Sequence, residues 1–196
     1  MKSIVVSAVC CTAFVTALAA QQAPAGQAQQ PRPLPGVLAE VRTIFNTHKG
    51  NITKAADQFP EDKYSWSPTP EIRTWGGLIS HIVDDNNNTC SVVLGVTPPA
   101  RLDLNGKLTE AGTGLKKAEI VKRLADSFAV CDKAFDLVTD ANMAERAGRS
   151  SRSNFGTVFY NTQHINEHYG NIVTYMRLQG LVPPSSAPRG GGPAPR

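Results

Sequence analysis

Apolar positions recur every three to four residues in four separate stretches of the chain. This spacing is that of one face of an amphipathic α-helix, and clear strand alternation occurs nowhere in the sequence. Pro60 directly follows the first stretch, and Thr74 is the expected N-cap of the second. Asn154 or Ser153 can cap the fourth. The pattern predicts four α-helices, with apolar stripes over residues 34–59, 75–94, 121–138 and 155–176.

Four such helices, each of about twenty residues, predict an all-α four-helix bundle. The connection between the second and third helices, residues 95–115, is long, whereas antiparallel neighbours need only a few residues. We therefore expect a crossover that makes these two helices parallel, an up-down-down-up bundle. Cys90 and Cys131 would then lie at one level, about 24 Å and about 22 Å along their helices. Either a disulfide or two buried thiols fits this placement.

The two ends of the chain differ in composition from its middle. Residues 1–19 combine a basic start, an apolar run and small residues, which predicts a cleavable signal peptide. The apolar run is short for a membrane span. Residues 20–33 predict a flexible linker and residues 185–196 a disordered Gly/Pro tail. One domain, residues 34–184, remains, and we expect a periplasmic or secreted protein with no membrane span after processing.

The charge of the chain gives little indication of a macromolecular partner. Its formal net charge is +4, and no basic stripe with interleaved aromatic residues is present. Nucleic-acid binding is therefore not expected. The partners that we expect are a small-molecule substrate or ligand and, in a homodimer, a second copy of the chain.

Three histidines carry the candidate chemistry. His164 and His168 are four residues apart, so they share one face of the fourth helix. His81 lies in the second helix at a similar depth: roughly 10 Å from the bundle end, against roughly 16 Å for His168 and roughly 22 Å for His164. Three imidazoles at one site would leave an open coordination position, which is typical of catalytic rather than structural metal sites. We predict a shared metal site.

Two acidic residues are candidates for catalytic groups beside this site. Asp85 lies one turn beyond His81, where it could orient an imidazole or act as a ligand itself. Glu167 is a candidate general base, and solvent exposure is its alternative. For His48 we favour a core or pocket-lining role over that of a fourth ligand. Three aromatic residues are further candidates for lining a pocket: Trp75, Tyr160 and Tyr169.

The sequence resembles the DinB-like (YfiT-like) family in two motifs. These are TWGGLISHIV at residues 74–83 and HINEHYGNIVTYMRLQGLVPP at residues 164–184. The resemblance extends over about residues 34–184 and implies an up-down-down-up bundle. It also implies a divalent metal ion, zinc or nickel first, held by His81, His164 and His168. Relatives of this kind include thiol-dependent transferases and proposed hydrolases.

Two functions therefore remain open from the sequence. The first is a metal-dependent hydrolase or thiol-type transferase, since an open metal position makes a bound water or thiol more acidic. The second is a non-catalytic periplasmic protein that binds a metal or a small ligand. An acidic group facing the metal would favour the first, and its absence would favour the second. An exported location argues against a thiol transferase, because low-molecular-weight thiols are mostly cytosolic.

Overall fold

The computed structural model describes residues 36–102 and 115–188, which belong to one compact unit, Pro35–Arg196. No strand occurs in these described ranges, and short 3-10 helices at Glu61–Lys63 and Pro184–Ser186 supplement the main helices. The prediction of an all-α four-helix bundle is confirmed. The helices are α1 (Val37–Gln58), α2 (Trp75–Leu94), α3 (Lys117–Leu137) and α4 (Asn154–Leu178).

The helix ends follow local sequence signals. The Thr74 side chain accepts a hydrogen bond from the backbone N–H of Gly77, which caps α2 as predicted. Ser153, and not Asn154, caps α4 in the same way. Gly95 ends α2 with φ of 68°, a left-handed conformation that favours glycine. These caps fix where α2 and α4 begin, and so fix the levels of the histidines that the two helices carry.

Contacts between α2 and its neighbours establish the topology. Asn86 bonds to Ser127, and Cys90 joins Cys131 four residues further along both helices, so α2 and α3 run parallel. Residue numbers run in opposite directions in the contacts between α2 and α4. There Trp75 lies against Tyr175, and Asn86 bonds to Asn161. Ion pairs from α1 to α3 are also antiparallel, so the up-down-down-up prediction is confirmed.

The core is built from apolar and aromatic side chains of all four helices. Phe45 of α1 packs between Phe128 and Phe135 of α3. The Phe59 ring stacks on Trp75 at 3.6 Å between centroids, and both side chains are fully buried. This stack closes the bundle end at which α2 begins. It also shows that Trp75 is a core residue rather than a pocket-lining one.

Gly76 allows the chain before α2 to approach the helix closely. Its N–H donates to the carbonyl of Tyr64 at 2.8 Å. A Cβ at this position would lie 3.1 Å from that same carbonyl oxygen. The glycine pair in the first turn of α2 therefore includes one residue whose lack of a side chain is required by packing.

Cys90 and Cys131 form a disulfide between α2 and α3, so the two alternatives left by the sequence are resolved in favour of the bond. Both cysteines are fully buried in the core. The cross-link connects two helices whose intervening crossover includes residues 103–114, which lie outside the described chain. It holds α2, and with it His81, against α3.

Several predicted segments lie outside the described residues. They are the signal peptide at 1–19, the linker at 20–33 and residues 189–196 of the predicted tail. The first part of that tail is described: Ser185 donates its N–H to the hydroxyl oxygen of Tyr169 at 3.0 Å. Among the helices of the described ranges, none is long and apolar enough to cross a membrane.

Candidate metal centre

His81, His164 and His168 meet in the groove between α2 and α4. The Nε2 atom of His164 lies 3.2 Å from Nε2 of His81 and 3.0 Å from Nε2 of His168. One nitrogen from each of the three rings falls within 4.8 Å of the others. The antiparallel packing of α2 against α4 thus brings together the three residues that the sequence indicated.

The spacing of these nitrogens suits a small divalent ion. Two ligands that are each about 2.1 Å from a zinc ion in tetrahedral geometry are about 3.4 Å apart. The two Nε2 separations of 3.2 Å and 3.0 Å are slightly shorter than this value. A small outward rotation of the rings would accommodate the ion, and three ligands leave a fourth position open.

The three imidazoles are held in the neutral form, which is the form that binds metals. Burial, and after it the charge of the neighbouring Arg73, lowers the pKa of His81 to about 3. Burial is also the main cause of the lowered pKa values of His164 and His168. Near neutral pH, protons therefore compete little with a metal ion for the three ring nitrogens that face one another.

Two acceptors lie on the far sides of the α4 rings. Asp85 Oδ2 is 3.1 Å from Nδ1 of His164, an ion-pair distance, although the ring is not turned for an aligned hydrogen bond. Asn171 Oδ1 is 3.2 Å from Nδ1 of His168. The Asn171 acceptor places the ring proton of His168 on Nδ1 and leaves its Nε2 lone pair directed into the cluster.

Asp85 is itself partly withdrawn from water. Burial raises the pKa of its carboxyl, and the hydroxyl of Thr89 donates to Oδ2 at 3.4 Å, which opposes that rise. The carboxylate touches a histidine from behind rather than facing the open side of the cluster. Its position fits the orienting role that the sequence suggested better than the role of a ligand or a general base.

Arg73 approaches His81 from the opposite side. One terminal guanidinium nitrogen lies 3.4 Å from Nδ1 of His81, while the Nε atom is buried without a hydrogen-bond partner. The hydroxyl of Tyr175 donates to the backbone carbonyl of Arg73 at 2.7 Å and fixes the chain just before α2. His81 thus has a donor behind it, whereas His164 and His168 have acceptors.

A pocket of about 160 Å³ opens beside the cluster. The pocket shares His168 with the candidate metal site. The remaining wall combines apolar groups with two polar side chains, Arg73 and Asn171, and comprises Ile72, Arg73, Leu78, His168, Asn171 and Tyr175.

The other candidates from the sequence lie around the cluster rather than in it. Glu167 is exposed, and it acts on His164 and His168 only through its charge. The His48 ring packs 5.9 Å from Tyr169, in keeping with the core or pocket-lining role that we favoured. Tyr160 stacks on the His164 ring at 6.0 Å and borders the site directly.

Sequence reasoning missed Arg73 and Asn171. Asn171 stands three residues after His168, so helical spacing places it on the same face and could have indicated it. Arg73 has no such signal, because it precedes the N-cap of α2 and helical periodicity does not orient its side chain. A buried polar network of Asn86, Ser127 and Asn161, one turn from the cluster, was also missed.

Comparison with known proteins agrees with the fold. The DinB superfamily matches residues 44–172. A solved structure from Enterococcus faecalis, described as a conserved protein, is similar with a TM-score of 0.60 at 12% identity. The similarity covers 74% of this chain and 98% of that one. Among curated proteins none matches significantly. Since the family match includes more than half of the chain and all three histidines, the protein belongs to the DinB superfamily.

Proposed function

We propose that this protein is a divalent-metal-dependent enzyme, a hydrolase or a thiol-type transferase, whose metal ligands are His81, His164 and His168. The observation that carries the proposal is the convergence of three imidazoles within 4.8 Å of one another, beside a pocket that His168 also lines. Structural zinc sites are usually closed by four protein ligands, whereas three ligands and an accessible fourth position are typical of catalytic sites.

The donor set favours zinc or nickel over harder ions. Imidazole nitrogens suit zinc, copper, iron and nickel, whereas magnesium and calcium prefer oxygen. When bound, such an ion supplies Lewis acidity, which makes a water or a thiol lose its proton more readily. The protein's own contribution is to hold the rings neutral, to fix the tautomer of His168 through Asn171, to place the Asp85 carboxylate behind His164, and to provide a pocket for a substrate.

A non-catalytic binding protein is the second candidate, and one observation favours it. Asp85 lies behind His164, and Glu167 is exposed to solvent. Neither of these two candidate carboxylates therefore faces the open side of the cluster. A general base within hydrogen-bond reach of the open position is expected of many hydrolases. A protein that only binds a metal or a small ligand has no such requirement.

We further propose that the protein is exported. The apolar N-terminal run resembles a signal peptide, and the buried Cys90–Cys131 disulfide supports an oxidising compartment, where such bonds persist. In that setting hydrolysis is favoured over thiol transfer.

Elemental analysis of protein purified without a histidine tag tests the metal site. We expect wild type to carry about one zinc or nickel ion per chain, and a His81→Ala/His168→Ala variant to carry little. His48→Ala is the matched control, because it removes a histidine outside the cluster. Equal metal content in wild type and the double variant would refute the site. Absence of activity in metal-loaded wild type across a hydrolase and transferase panel would favour the binding-protein alternative.

A further inference from the structure

Arg73 is a cation without a carboxylate partner in the described ranges 36–102 and 115–188. Its guanidinium contacts Nδ1 of His81, a group that offers no negative charge. The guanidinium Nε is buried without a partner, and the side chain lines the pocket that His168 also borders. Arg73 is half-buried, and withdrawing part of a guanidinium from water is costly unless an anion or an acceptor satisfies it.

Arg73 is the permanently charged side chain in the wall of the pocket. Asp84 lies 3.8 Å from Arg101, and Asp85 lies against His164, so the contacts of these two carboxylates are with other groups. A divalent ion on the three histidines would increase the positive charge further. Such a site attracts small anions and strengthens their binding through its low dielectric.

We propose that the pocket beside the histidine cluster binds the oxyanion of a small organic molecule, a carboxylate or a phosphate ester, with Arg73 as its anion-binding group. The guanidinium presents a planar fork that matches two oxygens of either group. The Asn171 amide lines the same wall and offers a second polar contact. This inference deepens the proposed function by naming its substrate class, and the placement of the anion beside a metal ion rests on that function.

The rest of the pocket limits the size and character of the molecule. Ile72, Leu78 and Tyr175 give an apolar wall opposite the polar groups. A volume of about 160 Å³ corresponds to roughly five waters at ~30 Å³ each, which is enough for a short aliphatic chain and its acidic group. The backbone of Arg73 is fixed by Tyr175, so the site is preorganised before the anion arrives.

Calorimetric titration of the full chain tests the proposal, with butyrate, butyl phosphate and the uncharged butyramide as probes. We expect at least one of the two anions to bind zinc-loaded wild type and butyramide not to bind. Arg73→Gln should weaken anion binding at least about tenfold, as expected for the loss of a charged hydrogen bond, and Arg73→Lys should weaken it less. Binding of butyl phosphate alone or of butyrate alone would identify the acidic group.

Arg149→Gln is the matched control, because it removes the same charge from an exposed position in the α3–α4 connection. Equal anion binding by wild type and Arg73→Gln, or binding of butyramide as tight as that of butyrate, would overturn the proposal. If Arg73→Gln fails to fold, modification of wild-type Arg73 by phenylglyoxal replaces it. Protection by the anion but not by butyramide supports the site, and equal modification overturns it.

Failure of the metal centre can be told apart from failure of this inference. Metal content measured on the same zinc-loaded samples should not fall in Arg73→Gln, because Arg73 is not a ligand and its positive charge beside His81 opposes cation binding. Metal-free wild type prepared with a chelator should still bind the anion through Arg73, though more weakly. Arg73-dependent binding by a protein that carries no metal would support the anion site while contradicting the three-histidine centre.

Discussion

Asp85 Oδ2 lies 3.1 Å from Nδ1 of His164, on the side of the ring that faces away from His81 and His168. The contact joins α2 to α4 directly behind the cluster. Because Asp85 is one turn beyond His81 on the same helix, α2 contributes both a candidate ligand and the carboxylate that orients another.

Asp85→Ala should therefore weaken metal binding without removing a ligand. Loss of a carboxylate behind a ligating histidine typically lowers metal affinity by about 10- to 100-fold. We expect that range for zinc, measured by competition with a chromophoric chelator. Glu167→Gln is the control, because this exposed carboxylate is also close in sequence to a ligand but does not contact a ring nitrogen. Equal losses in the two variants would mean that Asp85 acts only through its charge.

Acidification should destabilise the metal-free protein. The folded chain holds the pKa of His81 at about 3 and lowers those of His164 and His168 from their ordinary 6.5. Between these folded values and 6.5 the unfolded chain binds more protons, so the free energy of unfolding falls as the pH falls. Above pH 6.5 the three histidines are neutral in both the folded and the unfolded chain, so their stabilising effect on the metal-free fold is fully present.

Thermal unfolding of chelator-treated protein between about pH 7 and about pH 5 measures this effect. The raised pKa of Asp85 works in the opposite direction, over the range between that raised value and the ordinary 3.8. His81→Gln should give a shallower decline in melting temperature than wild type. The same decline in both proteins would show that His81 is not held neutral by the fold.

Helical periodicity was sufficient to predict the bundle because its rise and repeat are fixed. The long connection after α2 indicated parallel α2 and α3, and equal depths for Cys90 and Cys131 followed from counting residues. Counting residues gave the depth of each side chain along its helix but not the direction in which the side chain points. For this reason the sequence left the disulfide and two free thiols as alternatives, and only the structure distinguishes them.

The depth argument for the histidines was less accurate, since it assumed that α4 ends level with the start of α2. Tyr175 contacts Arg73 and Trp75, so α4 extends about one turn further than the start of α2. Correcting for this offset brings His168 level with His81. The positions of the side chains behind the rings depend on their rotamers and, for Arg73, on a non-helical segment. Neither follows from the helical repeat of the sequence, and so Arg73 was not predicted.

Removal of the Cys90–Cys131 disulfide should lower stability while leaving the metal site assembled. The bond closes a loop with a sequence separation of 41, for which the chain-entropy model gives about 4 kcal/mol. We expect a lower urea midpoint for a Cys90→Ala/Cys131→Ala variant, with metal content unchanged in the folded protein. Wild type treated with a reductant should match the variant. Alkylation of both cysteines in non-reduced, denatured wild type would contradict the disulfide.

The polar network at the centre of the bundle should be more sensitive to mutation than its size suggests. Asn161 donates to Asn86 Oδ1 at 2.9 Å, and Asn86 donates to the Ser127 hydroxyl at 3.2 Å. All three residues are almost completely buried. Asn86→Ala would leave the buried Asn161 amide without its partner, whereas the Ser127 hydroxyl would keep its bond to the Leu124 carbonyl. We therefore expect a loss of about 1–3 kcal/mol in the free energy of unfolding.

Urea unfolding of Asn86→Ala measures this loss, and Asn46→Ala, the same change on the exposed face of α1, should stay within about 0.5 kcal/mol of wild type. The Asn86→Ala/Asn161→Ala double variant should lose less than the sum of the two single variants, since both remove one hydrogen bond. Additive losses would show that the two asparagines are not coupled. The network would then not be what sets the register of α2 against α4, on which the meeting of His81 with His164 depends.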